Sequence, residues 1–277
     1  MLEAFAVMYM FFSVSMSISD TPDNKACQLF TTEAVTQSRE AVQNKLKPQQ
    51  INPVIVDYIE ELKKMGYYKN DFSDNDLNLR HAILRFQSDI NMSVTGLWDS
   101  ECLLALKRRL GDGTMNYTDI VENPPAENNW IAINKSKRIL TLYEGKKVVG
   151  KYPVAVGTSS TPTPSGKFQI AVKVVDPVWG GGGYAKPVAG GIPENPLGYR
   201  WMGLSINGGG DYGIHGNNSP YSIGTYASHG CIRMINSDVE YLYKIVPVNT
   251  PVWIGEDSEL NKWGIKQPIY PSNQNGS

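Results

Sequence analysis

The residues whose types could do covalent chemistry lie in the stretch "SHGCIRM", where Cys231 follows His229 by two residues and precedes Arg233 by two. Cysteine attacks as its thiolate, so a catalytic thiol needs a base or positive neighbours that populate this form near neutral pH. The chain has 3 histidines, and His215 in "YGIHG" is close enough in sequence to serve as the base. These residues indicate acyl transfer through a thioester.

The neighbours of Cys231 fit that chemistry. Arg233 carries a permanent charge that could hold a substrate carboxylate or favour the thiolate. Gly230 permits a sharp turn before the cysteine, and the amides of His229, Gly230 and Cys231 could converge on a developing oxyanion. We therefore expect Ser228, His229 and Gly230 to support the site.

Two other interpretations of this stretch stay open. His215, His229 and Cys231 could bind zinc, but a closed structural site needs four ligands and no fourth stands at the usual short spacing. Neither a metal nor a cofactor is predicted. His229 could instead shape the cysteine turn, and Cys231 could be an inert structural residue. We expect Cys102 to be a small core residue and His81 to be a partly exposed surface residue.

Composition limits the partners. The chain has 277 residues, of which 41% are hydrophobic and 19% charged, with a formal net charge of −1. This length suits two domains, and the charge balance provides no field that would favour nucleic acid. The apolar run from Ala4 to Met16 predicts a secretory signal, because it is shorter than the ~20 residues that span a bilayer. An export signal implies a location at the cell wall, outside the cell or in a periplasm.

Helical patterns occupy the first part of the chain. "NPVIVDYIEELKKMG" predicts a helix that begins at Asn52 and ends before Gly66. A second helix is predicted from about Asp76 to Asn91. A third is predicted after Asp99, with Leu103, Leu106 and Leu110 on its inner face.

Strand patterns follow a Gly-, Pro- and Asn-rich linker. "WIAIN", "RILTLYE" and "KVVGKYPVAVG" are β-rich and separated by short turns. Residues 177–198 form a long Gly/Pro loop, whose length favours a lid or binding segment. A helix is predicted near Ser237 to Val246, with capping-box spacing between Ser237 and Glu240, and "PVWIG" is the last strand.

These patterns predict a multidomain α+β protein in which a small N-terminal three-helix bundle precedes a mainly β domain with a capping helix. The predicted parts are a signal peptide (1–19), a lead-in segment (20–51), a helical domain (52–110), a linker (111–129), a catalytic domain (130–256) and a C-terminal tail (257–277).

Several motifs carry a family resemblance. "YGIHGNN", "IGTYASHGCIRMINSDVEYLY" and "NTPVWIG" resemble the signature of the L,D-transpeptidase (YkuD-type) catalytic domain, and the likeness covers about Trp130 to Gly255. The helical unit, with "GYY" and "LRHAILRFQSDINMSVTGLWD", is similar to the peptidoglycan-binding three-helix module. Asn249 in "NTPV" stands where relatives often have glycine, and Asn tolerates the left-handed backbone expected there.

The resemblance implies an exported bacterial enzyme that acts on the cell wall. Cys231 would attack the L,D peptide bond of a tetrapeptide stem, expel D-alanine and pass the acyl group to an acceptor amine, with His215 as proton acceptor and donor. The Gly216 carbonyl would orient His215, and Arg233 would contact substrate.

The implied partners are peptidoglycan stem peptides and glycan, with carbapenem-type β-lactams as inhibitors, and a monomer is expected. An L,D-carboxypeptidase and a non-catalytic wall-binding protein are the alternative functions.

Overall fold

The computed structural model describes residues 58–112, 117–183 and 185–270, and all of these belong to one compact unit, Lys47–Ser277. The predicted signal peptide, the lead-in segment and the helix start at Asn52 lie outside the described residues. No helix within the described part is long and apolar enough to cross a membrane.

Three helices form the first part of the described chain: α1 (Ile59–Lys64), α2 (Asn75–Asp89) and α3 (Ser100–Asp112). Helix α1 ends before Gly66, whose φ of 79° is the left-handed backbone that glycine adopts freely. The Asp74 carboxylate caps α2 by accepting hydrogen bonds from the first-turn backbone N–H groups. Helices α2 and α3 therefore begin and end close to the positions that the sequence predicts, and α1 ends where predicted.

The inner face of α3 differs from the prediction. Leu106 is fully buried, but Leu110 is 48% exposed. Arg109 is buried instead, and its guanidinium donates to the Asp89 carboxylate at 3.1 Å. The predicted leucine face is thus rotated, because a buried ion pair occupies the position where an apolar side chain was expected.

Strands make up the second part. They are β1 (Ile120–Val121), β2 (Asn129–Asn134), β3 (Ile139–Glu144), β4 (Lys147–Gly157), β5 (Gly166–Val175), β6 (Arg200–Leu204), β7 (Gly213–His215), β8 (Tyr226–Ser228), β9 (Ile232–Met234), β10 (Pro251–Gly255) and β11 (Ile265–Lys266). Nine of them form one sheet in the order β3-β2-β10-β5-β6-β7-β9-β4-β8, and β3 also pairs with β4. This additional pairing closes eight strands into a barrel.

The barrel is filled by side chains from alternate strand positions. The buried cluster comprises Ile131, Ile133, Leu140, Leu142, Val154, Val156, Ile170, Met202, Leu204, Ile214, Ile232, Met234, Val239, Leu242, Val246, Val252 and Ile254. Asn249, in the turn before β10, has the predicted left-handed conformation, with φ 65°. The fold thus agrees with the α+β class predicted from the sequence.

Helix α4 (Asn236–Ile245) covers one end of the barrel through Val239 and Leu242. The predicted capping box at Ser237 does not form, since α4 has no side-chain cap and the Ser237 hydroxyl accepts a hydrogen bond from Arg85 at 3.2 Å. A capping box occurs instead at helix α5 (Asp257–Lys262). Residues 257–270, predicted as the start of a tail, thus contain this helix and β11, which pairs with β1.

Helix α2 lies between the other helices and the barrel, and every residue from Leu77 to Asp89 is buried. Leu84 belongs to a cluster with Ile223 and Ile235 of the β part. The Arg85 guanidinium donates to both oxygens of the Asp238 carboxylate, at 3.0 and 3.1 Å. A buried bidentate ion pair thus joins α2 to α4, while the exact domain boundaries stay a prediction.

The prediction for His81 is wrong, and that for Cys102 is confirmed. Both residues are 0% exposed. His81 Nε2 lies 3.2 Å from the Pro220 carbonyl oxygen, and burial lowers its pKa to about 4. Because α2 is covered on both sides, a histidine on this helix cannot reach solvent.

The Arg85–Asp238 pair generates a prediction about stability. Arg85→Met is expected to lower the free energy of unfolding by about 3 kcal/mol, because it leaves a buried carboxylate without its main partner. Lys63→Met, which removes the exposed Lys63–Glu60 pair, is the matched control and is expected to cost less than about 1 kcal/mol. Denaturant unfolding followed by circular dichroism measures both values. Equal small losses in the two variants would contradict the prediction.

Candidate active site

Strands β7 and β9 position the predicted nucleophile and base. They run parallel, with His215 opposite Arg233 and Ile214 opposite Ile232. Successive side chains of a strand point to opposite faces, and both isoleucines belong to the barrel core. His215 and Arg233 therefore lie on the other face, and the same alternation places Cys231, the residue before β9, on that face with them.

His215 is held in one orientation. Its ring is only 4% exposed and stacks on Trp201 of β6, with 5.6 Å between ring centroids. Nδ1 lies 2.7 Å from the Gly216 carbonyl oxygen. Since a carbonyl can only accept, Nδ1 carries the hydrogen, and Nε2 of the neutral ring is left as the basic nitrogen.

The pKa of His215 keeps the ring neutral at physiological pH. Burial lowers this pKa to about 3, and the positive charge of Arg233 acts in the same direction. The backbone carbonyls of Gly216 and Leu197 oppose the shift but do not cancel it. The His215 ring is thus neutral with an unprotonated nitrogen, although its lowered pKa makes it a weaker base than a free imidazole.

Cys231 is partly exposed, and its thiol donates to the Asp211 carbonyl oxygen at 3.5 Å. Burial raises the pKa of this thiol, whereas the Gly213 N–H and the charge of Arg233 lower it. The sequence suggested a thiolate maintained by positive neighbours. Desolvation outweighs these neighbours in the free protein, so the resting pair is a neutral thiol and a neutral imidazole.

A tight turn presents Cys231. The Ser228 hydroxyl donates to the Cys231 carbonyl oxygen at 2.5 Å and accepts from the Gly230 N–H at 3.2 Å. Gly230 has φ 110°, and a Cβ there would lie 2.7 Å from the Tyr212 ring. The Gly230 N–H thus already has a partner in the free protein, and the use of the neighbouring amides for an oxyanion stays a prediction. His229 is exposed on the same turn.

The segment after His215 is equally constrained. The Asn217 N–H donates to Asn236 Oδ1 at 2.8 Å, and Asn236 Nδ2 donates back to the Asn217 carbonyl at 3.0 Å. A Cβ on Gly216 would lie 2.3 Å from Asn236 Oδ1. Only glycine fits at position 216, and α4 thereby holds the carbonyl that orients His215.

A cleft of about 900 Å³ opens beside Cys231. Its lining includes His229, Trp201, Tyr212 and part of the predicted Gly/Pro loop, from Pro177 to Gly183 with Leu197. Within this loop Trp179 and Val188 form a two-residue antiparallel bridge. The loop therefore borders the candidate site.

The described residues do not form the zinc site that His215, His229 and Cys231 could have provided. No group of three or more His, Cys, Asp or Glu side chains there is arranged to hold a metal ion. The roles of Arg233 and His229 toward a substrate stay predictions.

Sequence reasoning missed two residues of the site. Neither Trp201, whose ring supports His215, nor Asp211 was singled out. Asp211 follows three consecutive glycines and directly precedes "YGIHG". A glycine-rich turn leading into the histidine strand was the available signal for a loop that approaches the nucleophile.

The neutral resting pair generates a prediction for thiol reactivity. The rate of Cys231 alkylation by uncharged iodoacetamide is expected to rise with pH to a midpoint above that of a model thiol, and Arg233→Gln is expected to raise the midpoint further. Peptide mapping separates Cys231 from the other cysteines, and a Cys231→Ser variant provides the blank. A midpoint well below neutrality would indicate a preformed thiolate and imidazolium instead.

Comparison with known proteins supports one family. A family model for the L,D-transpeptidase catalytic domain matches residues 128–254, so the three helices lie outside the match. YqjB of Bacillus subtilis, named as an L,D-transpeptidase, is 40% identical over 139 residues, which are 50% of this chain and 77% of that protein. YkuD of Bacillus licheniformis, named likewise, is 41% identical over 134 residues, or 48% and 70%.

A crystal structure of the L,D-transpeptidase from Xylanimonas cellulosilytica (residues 123–326) has the same fold. It aligns with a TM-score of 0.52 at 20% identity and covers 76% of this chain and 97% of that one. Together with the sequence matches and the SHGC turn beside a histidine strand, these findings mean that the chain belongs to the YkuD family of L,D-transpeptidases.

Proposed function

We propose that this protein forms peptidoglycan cross-links through a cysteine acyl-enzyme. The observation that supports the proposal is the register of β7 and β9, which puts His215 and Cys231 on the same face of the sheet, where Cys231 lines the cleft. The proposed donor is a tetrapeptide stem and the proposed acceptor is an amine of a second stem, in keeping with the family. Export to the cell wall or periplasm is part of the proposal.

In the first half of the reaction Sγ attacks the carbonyl carbon of the L,D peptide bond. Nε2 of His215 takes the thiol proton as the carbon–sulfur bond forms, which removes the need for a resting thiolate. Arg233 stabilises the negative charge that develops on sulfur. The same proton then passes to the departing D-alanine nitrogen, the C–N bond breaks, and a thioester remains.

In the second half an acceptor amine attacks the thioester. His215 accepts a proton from the attacking nitrogen and returns it to sulfur as the carbon–sulfur bond breaks. The amides of His229 and Cys231 are proposed to stabilise the oxyanion of each tetrahedral intermediate. Carbapenem-type β-lactams are proposed inhibitors, because their ring carbonyl would acylate the same thiol.

Wall association is proposed for the outward faces of α1 and α3. Helix α2 is covered on both sides and offers no free surface, whereas Leu104 and Leu110 of α3 are 49% and 48% exposed. The helical segment would then hold the barrel at its substrate without contributing to the chemistry.

The proposal predicts an acyl-enzyme on Cys231 after incubation with a tetrapeptide donor, with the mass of the donor less D-alanine, and a cross-linked product when an amine acceptor is added. Cys231→Ala is expected to abolish both while leaving binding to isolated cell walls. His215→Ala is expected to slow acylation by about 10³-fold and His229→Gln by less than about tenfold. Mass spectrometry measures all of these.

The outcomes separate the alternative functions. Tripeptide as the sole product at every acceptor concentration would indicate an L,D-carboxypeptidase. Cross-linking by Cys231→Ala would contradict the assignment of the nucleophile. No acylation in the unmodified chain, together with wall binding, would indicate a non-catalytic wall-binding protein.

A further inference from the structure

Asp211 is distinguished by its charge. Among the described residues that line the catalytic cleft, it is the only Asp, Glu, Lys or Arg. The remaining lining is mostly glycine and apolar or aromatic side chains, including Val172, Val174 and Trp201. A single carboxylate in such a cleft favours binding of a cation there, because few other polar groups of the lining interact with the carboxylate.

The position of Asp211 is built into the fold. Its backbone carbonyl oxygen lies 3.5 Å from the Cys231 sulfur, so the loop that carries Asp211 passes beside that sulfur. Asn207 Nδ2 donates to one carboxylate oxygen at 3.0 Å.

The loop that carries Asp211 is fixed from below by Trp201, whose Nε1 donates to the Gly209 carbonyl at 3.1 Å. A Cβ at Gly203 would lie 1.9 Å from that same oxygen, so the loop packs closely on β6. The ring that supports His215 thus also holds the loop of Asp211.

This carboxylate is unfavourable for the first half of the reaction. Its negative charge raises the pKa of the Cys231 thiol and opposes formation of the thiolate. A residue that conflicts with its surroundings at a reactive centre is expected to serve another step. In the second half of the reaction the incoming nucleophile is an amine, which is an ammonium ion at neutral pH.

We propose that Asp211 binds the ammonium group of the acceptor and thereby directs the acyl-enzyme to an amine rather than to water. The inference rests on the proposed function and adds to it the residue that selects an amine over water as the acceptor. Asp211 forms no covalent bond in this step.

Two protons leave the acceptor nitrogen during the transfer. The bound ammonium gives one proton to solvent, and the resulting amine attacks the thioester carbon. The C–N bond forms, His215 takes a second proton from nitrogen, and the carbon–sulfur bond breaks. The proton on His215 then returns to the Cys231 thiolate, so that both groups are again neutral.

The experiment measures how the acyl-enzyme partitions between transfer and hydrolysis. The full chain is acylated with a tetrapeptide donor, and products are quantified over a range of concentrations of a diamino acid acceptor. Asp211→Asn is expected to need about fivefold more acceptor for equal transfer, the effect of losing one partly exposed ion pair. Its acylation is expected to be no slower, because the charge that opposes the thiolate is gone.

Three comparisons make the test specific. Hydroxylamine is uncharged at neutral pH, so Asp211→Asn is expected to transfer to it as the unmodified chain does. Asp211→Glu keeps the charge and is expected to retain transfer to the amine. Glu194→Gln removes an exposed carboxylate of the Gly/Pro loop that does not line the cleft, and its partition is expected to be unchanged.

The contrary results are distinct. Normal acylation with an unchanged partition in Asp211→Asn would overturn this inference and leave the proposed function standing. Equal loss of transfer to the amine and to hydroxylamine would assign Asp211 a structural role and also overturn it. Absence of acylation in the unmodified chain would overturn the proposed function and this inference together.

Discussion

The parallel pairing of β7 with β9 is the constraint on which the site depends. Side chains alternate along a strand with a period of two, so the pairing of Ile214 with Ile232 in the core forces His215 and Arg233 to the opposite face. A slip of one residue in either strand would bury the histidine or the arginine in the barrel. Burial of the isoleucines therefore positions the reactive face, and catalytic geometry follows from hydrophobic packing.

Polar contacts then refine what the register provides. Gly216 offers its carbonyl to His215 Nδ1, and Asn236 of α4 holds the backbone around it. Ser228 closes the turn that carries Cys231. Each of these contacts includes a backbone group. The positions of the atoms that face the cleft therefore depend on the geometry of the main chain, which is stiffer than a series of side-chain contacts. The neutral pair that results suits a reaction in which proton transfer accompanies attack.

Much of this could be predicted from the sequence, because it depends on local pattern. The strands around "WIAIN" and "PVWIG" and the left-handed Asn249 follow from alternation and turn chemistry, and the motif predicts His215 as the partner of Cys231. Two of the failures involve partners distant in sequence. His81 is buried because α2 packs against the barrel, and Ser237 does not cap α4 because its hydroxyl accepts from Arg85. Neither contact has a signature in a single sequence.

The protonation states of Cys231 and His215 also depend on residues distant in sequence. The stretch "SHGCIRM" indicates positive neighbours and hence a thiolate, yet the balance is decided by burial, which depends on the whole barrel. The Trp201 ring and the Asp211 loop likewise reach the site through the pairing of β6 with β7. Short-range pattern suggests which atoms react, whereas the environment that sets their protonation is a property of the complete fold.

Nitrogen NMR of the His215 ring tests the central claim most directly. In the chain labelled with ¹⁵N in histidine, the His215 signals are assigned by their loss in a His215→Gln variant, and they are expected to be those of a neutral ring from about pH 5 upward, with hydrogen on Nδ1 and none on Nε2. A His215 ring that carries hydrogen on Nε2 alone, or on both nitrogens near neutral pH, would contradict the account.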